Sequence, residues 1–262
     1  MRKALTIAGS DSGGGAGIQA DLKTFAMCGV YGMNVVTAIT SQNTVGVQGV
    51  FDIPVEEIER QFRSVMNDLG ADAAKTGMLA HAGVVRKVAE LAREYKMERL
   101  VVDPVMVSKH GHVLLEPEAR KAVLTELLPC AFVVTPNAEE AALLTDEEVC
   151  DAEGMKRAAR LLHGKGARYV LAKGGHLQGE TAVDVFFDGE SFTTLEGPRL
   201  PSKHTHGTGC TLSAAITAYL AMGMDVLEAV RKAKEFVTEA IKGATPIGRG
   251  ISPVNHIWKF KV

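Results

Sequence analysis

The sequence predicts one α/β domain, residues 1–262, built around a mostly parallel β-sheet. Short β-branched runs alternate with longer segments in which apolar residues recur at helical spacing, which is the pattern of βα units. A chain of 262 residues is long enough to bury a large core. No linker, low-complexity tract or internal repeat divides it, so a single domain is favoured over two smaller ones.

Six short segments are the predicted strands of the parallel part of the sheet. They cover residues 3–8, 34–40, 73–76, 99–103, 131–135 and 168–172. Between them, the apolar residues of segments 55–69 and 84–95 recur three and four positions apart, as they do along one face of a helix. Asp188-Gly189 separates two further strands, near 182–187 and 190–195, and is typical of an antiparallel hairpin. Two helices, beginning near residues 209 and 225, are predicted to follow.

Composition argues against several classes of protein. The 29 basic and 31 acidic side chains nearly balance, whereas a dedicated nucleic-acid-binding protein usually shows a basic excess. No apolar run approaches the roughly 18 residues that a membrane-spanning helix needs. The first residues turn to glycine before a secretory apolar region develops. We therefore expect a cytoplasmic protein that binds neither nucleic acid nor a membrane.

A first cluster of glycines, within residues 9–17, follows the first predicted strand. Gly15-x-Gly17-x-x-Ala20 matches the spacing of a dinucleotide-binding fingerprint. That fingerprint also requires an acidic residue at the end of the second strand, and this strand instead ends Thr40-Ser41-Gln42-Asn43, which argues against an oxidoreductase. The Gly-Lys-Ser/Thr of a Walker loop is absent from the sequence. Five glycines exceed what a tight turn needs, although a turn with close helix packing remains the alternative.

A second cluster, within residues 203–211, leads into an apolar helix. Backbone N–H groups at the start of a helix lack intrahelical partners and lie at the positive end of its dipole. The predicted anion hole for a phosphate in transfer is formed by Gly207, Thr208, Gly209 and Cys210. At this position Cys210 should have a lowered pKa and be partly a thiolate. The other cysteines, Cys28, Cys130 and Cys150, form no CxxC pair and are expected to pack as small apolar side chains.

Polar or charged side chains stand at the ends of five predicted strands. Because open α/β sheets bind ligands at the carboxyl ends of their strands, the series suggests a polyphosphate site: Asp11, Gln42, Asp103, Thr135 and Lys173. Lys173 either reaches a nucleotide phosphate or is a solvated surface lysine. Asn137 and Glu140 have the spacing of a helix capping box, and a metal-binding role for them is equally open.

Six motifs together resemble those of the hydroxymethylpyrimidine/phosphomethylpyrimidine kinases of thiamine biosynthesis, a family of the ribokinase-like superfamily. They are Ala8-Gly9-Ser10-Asp11-Ser12, Gly15-Ala16-Gly17-Ile18-Gln19-Ala20-Asp21, Lys75-Thr76-Gly77-Met78-Leu79, Asp103-Pro104-Val105-Met106, Thr135-Pro136-Asn137 and Thr205-His206-Gly207-Thr208-Gly209-Cys210-Thr211. The resemblance extends over essentially the whole chain, to Pro253-Val254-Asn255-His256. It implies a three-layer α/β/α fold and a magnesium-dependent homodimer that phosphorylates 4-amino-5-hydroxymethyl-2-methylpyrimidine with ATP, and then phosphorylates the monophosphate. A monovalent cation requirement stays open.

The resemblance also implies roles for individual residues. The pyrimidine pocket would be lined by Gly9, Ala16, Asp21, Gln42, Met78 and Val105. The amide of Gln42 suits this role because it offers a donor and an acceptor to the 4-amino and ring-nitrogen edge. Cys210 would be the base, where sugar kinases of the superfamily place an aspartate, and Lys173 would balance charge on the transferring phosphoryl group. Magnesium would be organised, partly through water, by Asp103, Asn137 and Glu140. The nucleotide would lie against Thr135, Asn137, Lys173, His206, Thr208 and Lys234.

Two alternatives remain within this interpretation. A related bacterial branch acts mainly on pyridoxal, lacks the glutamine after the second strand and tends to carry alanine in place of Thr208. Gln42 and Thr208 therefore favour the pyrimidine, with pyridoxal as a side substrate. A module that only binds would be expected to lose Cys210, Lys173 or the glycines of the anion hole, all of which are present. Residues 106–115 are the expected mobile flap.

Overall fold

The computed structural model describes residues 1–106, 116–175, 177 and 181–260. The predicted flap, apart from Met106, lies outside the described residues. Within the described ranges, nine strands form one sheet in the order β3-β2-β1-β4-β5-β6-β7-β8-β9. The strands are β1 Lys3–Asp11, β2 Tyr31–Asn43, β3 Gly46–Asp52, β4 Ala73–Thr76, β5 Leu100–Val102, β6 Val133–Val134, β7 Tyr169–Lys173, β8 Thr181–Phe187 and β9 Phe192–Pro198.

The centre of the sheet is parallel and both of its ends are antiparallel. Parallel pairs join β2 to β1, β1 to β4, and β4 through β5 and β6 to β7. The late hairpin β8–β9 is antiparallel, and β8 also pairs antiparallel with β7. The prediction of a mostly parallel sheet with a late antiparallel hairpin is confirmed. Strand β9 begins two residues later than predicted because the Asp188 carboxylate accepts the N–H groups of Glu190 and Ser191, which widens the turn.

A second hairpin was not predicted. The second strand was predicted to cover residues 34–40, but β2 runs on to Asn43 and pairs antiparallel with β3. The side chains of β3 beyond Val47 are exposed, so the strand carries none of the apolar alternation by which a half-buried strand is recognised. Gln42 pairs with Val47 in this hairpin.

Helices cover both faces of the sheet. They are α1 Gly17–Met27, α2 Val55–Asp68, α3 Ala82–Glu94, α4 Pro117–Ala122, α5 Ala138–Thr145, α6 Ala152–Gly164, α7 Thr208–Ala221 and α8 Val226–Lys242, with a π turn at Val123–Leu127 and a 3-10 turn at Leu128–Cys130 after α4. Successive residues of a strand point to opposite faces of the sheet. Leu5 and Val102 pack with α2, α3 and α6 on one face, whereas Ala4 and Val101 pack with α1, α7 and α8 on the other. The three-layer α/β/α prediction is confirmed. Among the described residues, no helix combines the length and apolarity needed to cross a membrane.

The parallel strands bring their carboxyl ends to one edge of the sheet. Asp11 ends β1 and Lys173 ends β7, while Asp103 and Thr135 directly follow β5 and β6. Helix α7 begins at this same edge, one residue before its predicted start. The predicted series of strand-end residues and the predicted anion hole therefore meet.

Candidate active site

A cavity of about 750 Å³ lies at the carboxyl edge of the sheet. The cavity is lined by most of the site residues that were predicted from the sequence. They are Gly9, Ala16, Gln42, Met78, Val105, Asp103, Asn137, Glu140, Lys173, His206, Gly207, Thr208, Gly209, Cys210 and Lys234. The residues expected at the pyrimidine and those expected at the phosphates thus share one cavity.

Asp21 was expected to line this cavity, but it lies beneath it. Its carboxylate is fully buried, accepts a hydrogen bond from Thr6 Oγ1 at 2.6 Å, and forms an ion pair with Lys75 Nζ at 3.0 Å. Lys75 borders the cavity instead. Burial alone would lower the pKa of Lys75, but the negative charge of Asp21 raises it. A lysine in a strand as apolar as Ala73-Ala74-Lys75-Thr76 is the sequence signal for such a pair, because lysine is almost never buried without a partner.

Thr135 is likewise buried and does not border the cavity. Its hydroxyl donates to Asp103 Oδ1 at 3.2 Å, and on the other side Ser213 Oγ lies 3.1 Å from Asp103 Oδ2. Lys173 Nζ is 3.0 Å from Asp103 Oδ1, and the lysine side chain is only 13% exposed. The interpretation of Lys173 as a solvated surface lysine is therefore wrong, and Thr135 supports Asp103 from below.

The ionisation of this pair follows from its surroundings. Burial would raise the pKa of Asp103, but the ammonium groups of Lys173 and Lys75 hold it below its usual range. Burial would lower the pKa of Lys173, but Asp103 and Glu140 raise it. The pair is therefore ionised at neutral pH.

Asn137 and Glu140 form the predicted capping box at the start of α5. The side chain of Asn137 accepts the N–H of Glu140 at 2.9 Å, and Glu140 Oε2 accepts the N–H of Asn137 at 2.8 Å. Burial and the negative charge of Asp103 raise the pKa of Glu140 to about 7, against the opposing effect of Lys173. Both residues still border the cavity, so capping does not exclude a role at a metal.

The acidic residues of the cavity suit a magnesium ion that is also bound by water and by a nucleotide. No group of three His, Cys, Asp or Glu side chains among the described residues is placed to hold a metal ion by itself. Mg²⁺, however, is commonly bound by one or two carboxylates, several waters and the phosphates of a nucleotide. Asp103 and Glu140 supply two carboxyl groups facing the same cavity, which suits that mode.

The start of α7 has the backbone geometry of an anion site. Gly207 precedes the helix at φ +78° and packs so closely that a Cβ there would lie 1.8 Å from Gly15 O. Thr208 donates hydrogen bonds from both its N–H and its hydroxyl to Thr205 O, at 3.3 and 2.6 Å. The N–H groups of Gly209 and Cys210 belong to the first helical turn, where no preceding helical carbonyl can accept them. A Cβ on Gly209 would lie 3.5 Å from Lys173 Nζ, so a cation stands beside these groups.

The prediction of a lowered pKa for Cys210 is wrong. Burial raises the pKa of the thiol to about 11, and the carboxylates of Asp21 and Asp103 act in the same direction. Lys75 and a hydrogen bond from the backbone of Gly17 oppose this increase without cancelling it. The helix start alone would favour the thiolate, but the fold also places two acidic side chains nearby.

His206 and Lys234 border the cavity, but each is already held by a carboxylate. His206 Nε2 lies 3.0 Å from Asp11 Oδ2. Lys234, on α8, forms an ion pair with Asp184, whose other oxygen accepts the N–H of Gly174 at 3.0 Å. Both of these pairs tie different segments of the cavity wall together.

Comparison with known proteins identifies the family. The family described as phosphomethylpyrimidine kinase matches residues 11–255. The hydroxymethylpyrimidine/phosphomethylpyrimidine kinase of Streptomyces coelicolor is 53% identical over 254 residues, which are 97% of this chain and 94% of that protein. An ADP complex of Bacillus subtilis pyridoxal kinase superimposes with a TM-score of 0.92 at 45% identity, covering 98% of this chain and 97% of that one. The structure of Staphylococcus aureus pyridoxal kinase in complex with AMP-PCP superimposes with a TM-score of 0.91 at 40% identity. The match covers 98% of this chain and 93% of that one. The chain therefore belongs to the phosphomethylpyrimidine kinase family.

Proposed function

We propose that the protein is a kinase of thiamine biosynthesis. It transfers the γ-phosphoryl group of ATP to the hydroxymethyl oxygen of 4-amino-5-hydroxymethyl-2-methylpyrimidine, and then phosphorylates the monophosphate to the diphosphate. The observation that carries the proposal is that one cavity holds both Gln42 and the start of α7. An acceptor and a phosphoryl donor can thus be bound side by side.

The pyrimidine lies at the Gln42 end of the cavity. Gln42 is partly exposed on the β2–β3 hairpin, and its amide complements the amino group and ring nitrogen of the pyrimidine. Met78 and Val105 supply apolar surface to the same cavity. A few polar groups on a mostly apolar wall are what small heterocyclic ligands usually meet in proteins.

Phosphoryl transfer takes place at the start of α7. The hydroxymethyl oxygen attacks the γ-phosphorus, the bond to the β–γ bridging oxygen breaks, ADP leaves, and the hydroxyl proton passes to a base. Catalysis of this reaction rests mainly on positioning and on stabilising charge. The N–H groups of Gly209 and Cys210 and the Lys173 ammonium stabilise that charge, and Asp103 holds Lys173 in place.

Cys210 is the proposed base for the hydroxyl proton. Its thiol lies at the helix start, within the cavity lining. Because burial raises its pKa to about 11, the thiol is mostly protonated at neutral pH, and only the small thiolate fraction can accept the proton. Lys75 is the cation that supports this thiolate.

ATP is the proposed phosphoryl donor, and Mg²⁺ the proposed metal. The ADP and AMP-PCP bound by the related kinases support a nucleotide in this cavity. Asp103 and Glu140, with Asn137 beside them, would hold the metal, which supplies positive charge to the phosphates when bound. Lys234 also borders the cavity. Its ion pair with Asp184 gives it a role in shaping the nucleotide site rather than in neutralising a phosphate.

Pyridoxal is a second candidate substrate, because two structurally similar proteins are pyridoxal kinases. Gln42 and Thr208 favour the pyrimidine. Steady-state kinetics of one preparation on hydroxymethylpyrimidine, its monophosphate and pyridoxal, followed by ADP formation, separates the candidates. We expect the highest kcat/KM for the pyrimidine. A higher value for pyridoxal would reverse the assignment, and no ADP with any acceptor would refute the kinase proposal.

A homodimer is the proposed assembly, and the outer face of the β2–β3 hairpin is its proposed interface. Ile39 and Phe51 are paired across this hairpin and are 50% and 65% exposed. Exposed apolar patches on an edge strand commonly mark protein interfaces. Phe51→Glu should convert the dimer to a monomer in light scattering. The proposed location is the cytoplasm, where the four free cysteines stay reduced.

A further inference from the structure

His206 and Asp11 are joined by a buried hydrogen bond between the two glycine clusters. His206 Nε2 lies 3.0 Å from Asp11 Oδ2, and both residues are less than 10% exposed. Burial alone would raise the pKa of Asp11, but the hydrogen bonds of His206, Gln42 and nearby backbone N–H groups hold it well below its usual range. Asp11 is therefore a carboxylate, which only accepts hydrogen bonds. It follows that His206 carries a hydrogen on Nε2 and donates it.

On the Asp11 side, the connection reaches the hairpin that carries Gln42. The Asp11 carboxylate accepts the N–H groups of Gly13, Gly15 and Ala16 at 2.8 to 3.0 Å, which fixes the glycine loop. The next residue, Ser12, exchanges two hydrogen bonds with the backbone of Gln42, at 2.7 and 2.8 Å. The position of Gln42 is thus set by the loop that Asp11 holds.

On the His206 side, the connection reaches the same hairpin by another route. Residues 248–254, here called the strap, pair with the backbone of His206: its N–H donates to Ser252 O at 3.1 Å, and its carbonyl accepts Val254 N–H at 3.2 Å. Further along the strap, Ile251 N–H donates to Thr44 O at 2.8 Å. Gly250 approaches so closely that a Cβ there would lie 1.9 Å from Thr44 O. Thr44 is a turn residue two positions after Gln42.

These contacts form a closed ring, and His206 is the member that directly precedes the anion hole. From Gln42 the ring runs through Ser12, Asp11, His206 and the strap, and returns to the hairpin at Thr44. We propose that His206 is a positioning residue that acts through Asp11. It keeps the acceptor bound at Gln42 in line with the phosphoryl group at the start of α7, and it need not contact the nucleotide. This inference rests on the proposed function.

The expected effect follows from the geometry of transfer. A misplacement of about 1 Å between acceptor and donor can lower a rate by roughly a hundredfold. Breaking the His206–Asp11 bond should therefore lower kcat for the pyrimidine. Nucleotide affinity should change little, because the N–H groups of α7 and Lys173 remain.

The test compares His206→Leu, which cannot donate to Asp11, with His206→Gln, whose terminal amide nitrogen can. Steady-state kinetics with hydroxymethylpyrimidine give kcat and KM, calorimetry gives the Kd of ADP, and thermal unfolding checks the fold. We expect His206→Leu to lower kcat about 10- to 100-fold with the Kd of ADP within twofold, and His206→Gln to restore most of the loss. A Kd of ADP that weakens as much as kcat falls would make His206 a nucleotide ligand and overturn the proposal. So would a glutamine variant as slow as the leucine variant.

Thr44→Val tests the ring from its opposite side. Valine has the shape of threonine but cannot accept the Gly250 N–H that Thr44 Oγ1 accepts at 3.2 Å. Thr44→Val alone should lower kcat. If both residues belong to one ring, the double variant with His206→Leu should be no slower than His206→Leu alone. An unchanged kcat for Thr44→Val, or effects that multiply in the double variant, would refute the ring. Wild-type protein that forms no ADP with the pyrimidine would refute the proposed function by itself. The same variants would then be compared with pyridoxal as acceptor, where the same losses still support the positioning pair.

Discussion

The raised pKa of Cys210 makes the rate of alcohol phosphorylation depend on pH in a defined way. With a pKa of about 11, roughly one thiol in ten thousand is ionised at pH 7, and the fraction rises about tenfold with each pH unit. If the thiolate accepts the hydroxyl proton, kcat for hydroxymethylpyrimidine should rise with a slope near one between pH 8 and 9.5. Cys210→Ala should lower kcat by at least ~10²-fold and flatten this profile.

Phosphorylation of the monophosphate provides an internal comparison. The attacking phosphate oxygen is already ionised, so this step needs no base and should show little pH dependence. ADP formation is measured with both acceptors on wild type, Cys210→Ala and Cys150→Ala, the last removing an exposed thiol outside the cavity lining. A flat wild-type profile on the alcohol, or full turnover by Cys210→Ala, would refute the base. The backbone of residues 207–210 would then be the catalytic part.

Three further substitutions test other parts of the cavity. Gln42→Met should weaken pyrimidine binding by about 1–3 kcal/mol, up to roughly a hundredfold in Kd. Pyridoxal, which lacks the amino group, should lose less in the same calorimetric titration, and equal losses would remove Gln42 from recognition. Lys173→Ala should lower kcat far more than it changes the Tm, and near-normal turnover would contradict its charge-balancing role. Lys75→Met leaves Asp21 buried without its cation and should destabilise the fold by about 3–5 kcal/mol in urea unfolding. An unchanged unfolding midpoint would show that the pair contributes nothing.

The parts of the fold that follow from local pattern were predicted from the sequence. Most of the parallel strands have β-branched runs, α7 begins where glycines meet an apolar stretch, and the Asn137–Glu140 capping box depends on a spacing of three residues. Strand β3 was missed because its exposed side chains carry no alternation. It pairs with β2 through a short turn at residues 44–45, and Thr44-Val45 is not one of the Asn-Gly or Asp-Gly pairs by which such a turn is recognised in a sequence.

The site was predicted as a set of residues but not as an electrostatic arrangement. Sequence motifs located the cavity lining. They could not show that Asp21 and Thr135 lie beneath it, since a motif does not say which side of a helix or a loop a residue faces. The pKa of Cys210 depends on Asp21 and Asp103, which approach it only in the folded chain. Asp11 was taken as one of several strand-end residues, whereas the structure shows that its carboxylate organises a whole loop.

The charged side chains at the floor of the cavity are paired, acid with base, and this pairing restricts which groups can attract a triphosphate. Asp21 is paired with Lys75, and Asp103 with Lys173, so these four buried side chains carry almost no net charge. An anionic nucleotide is therefore not attracted by an excess of lysine. In the proposed mechanism its attraction comes from the backbone N–H groups of Gly209 and Cys210 and from the cation that would accompany it. Because backbone N–H groups have fixed directions, such a site favours one placement of the phosphate over others, which is the condition for in-line transfer.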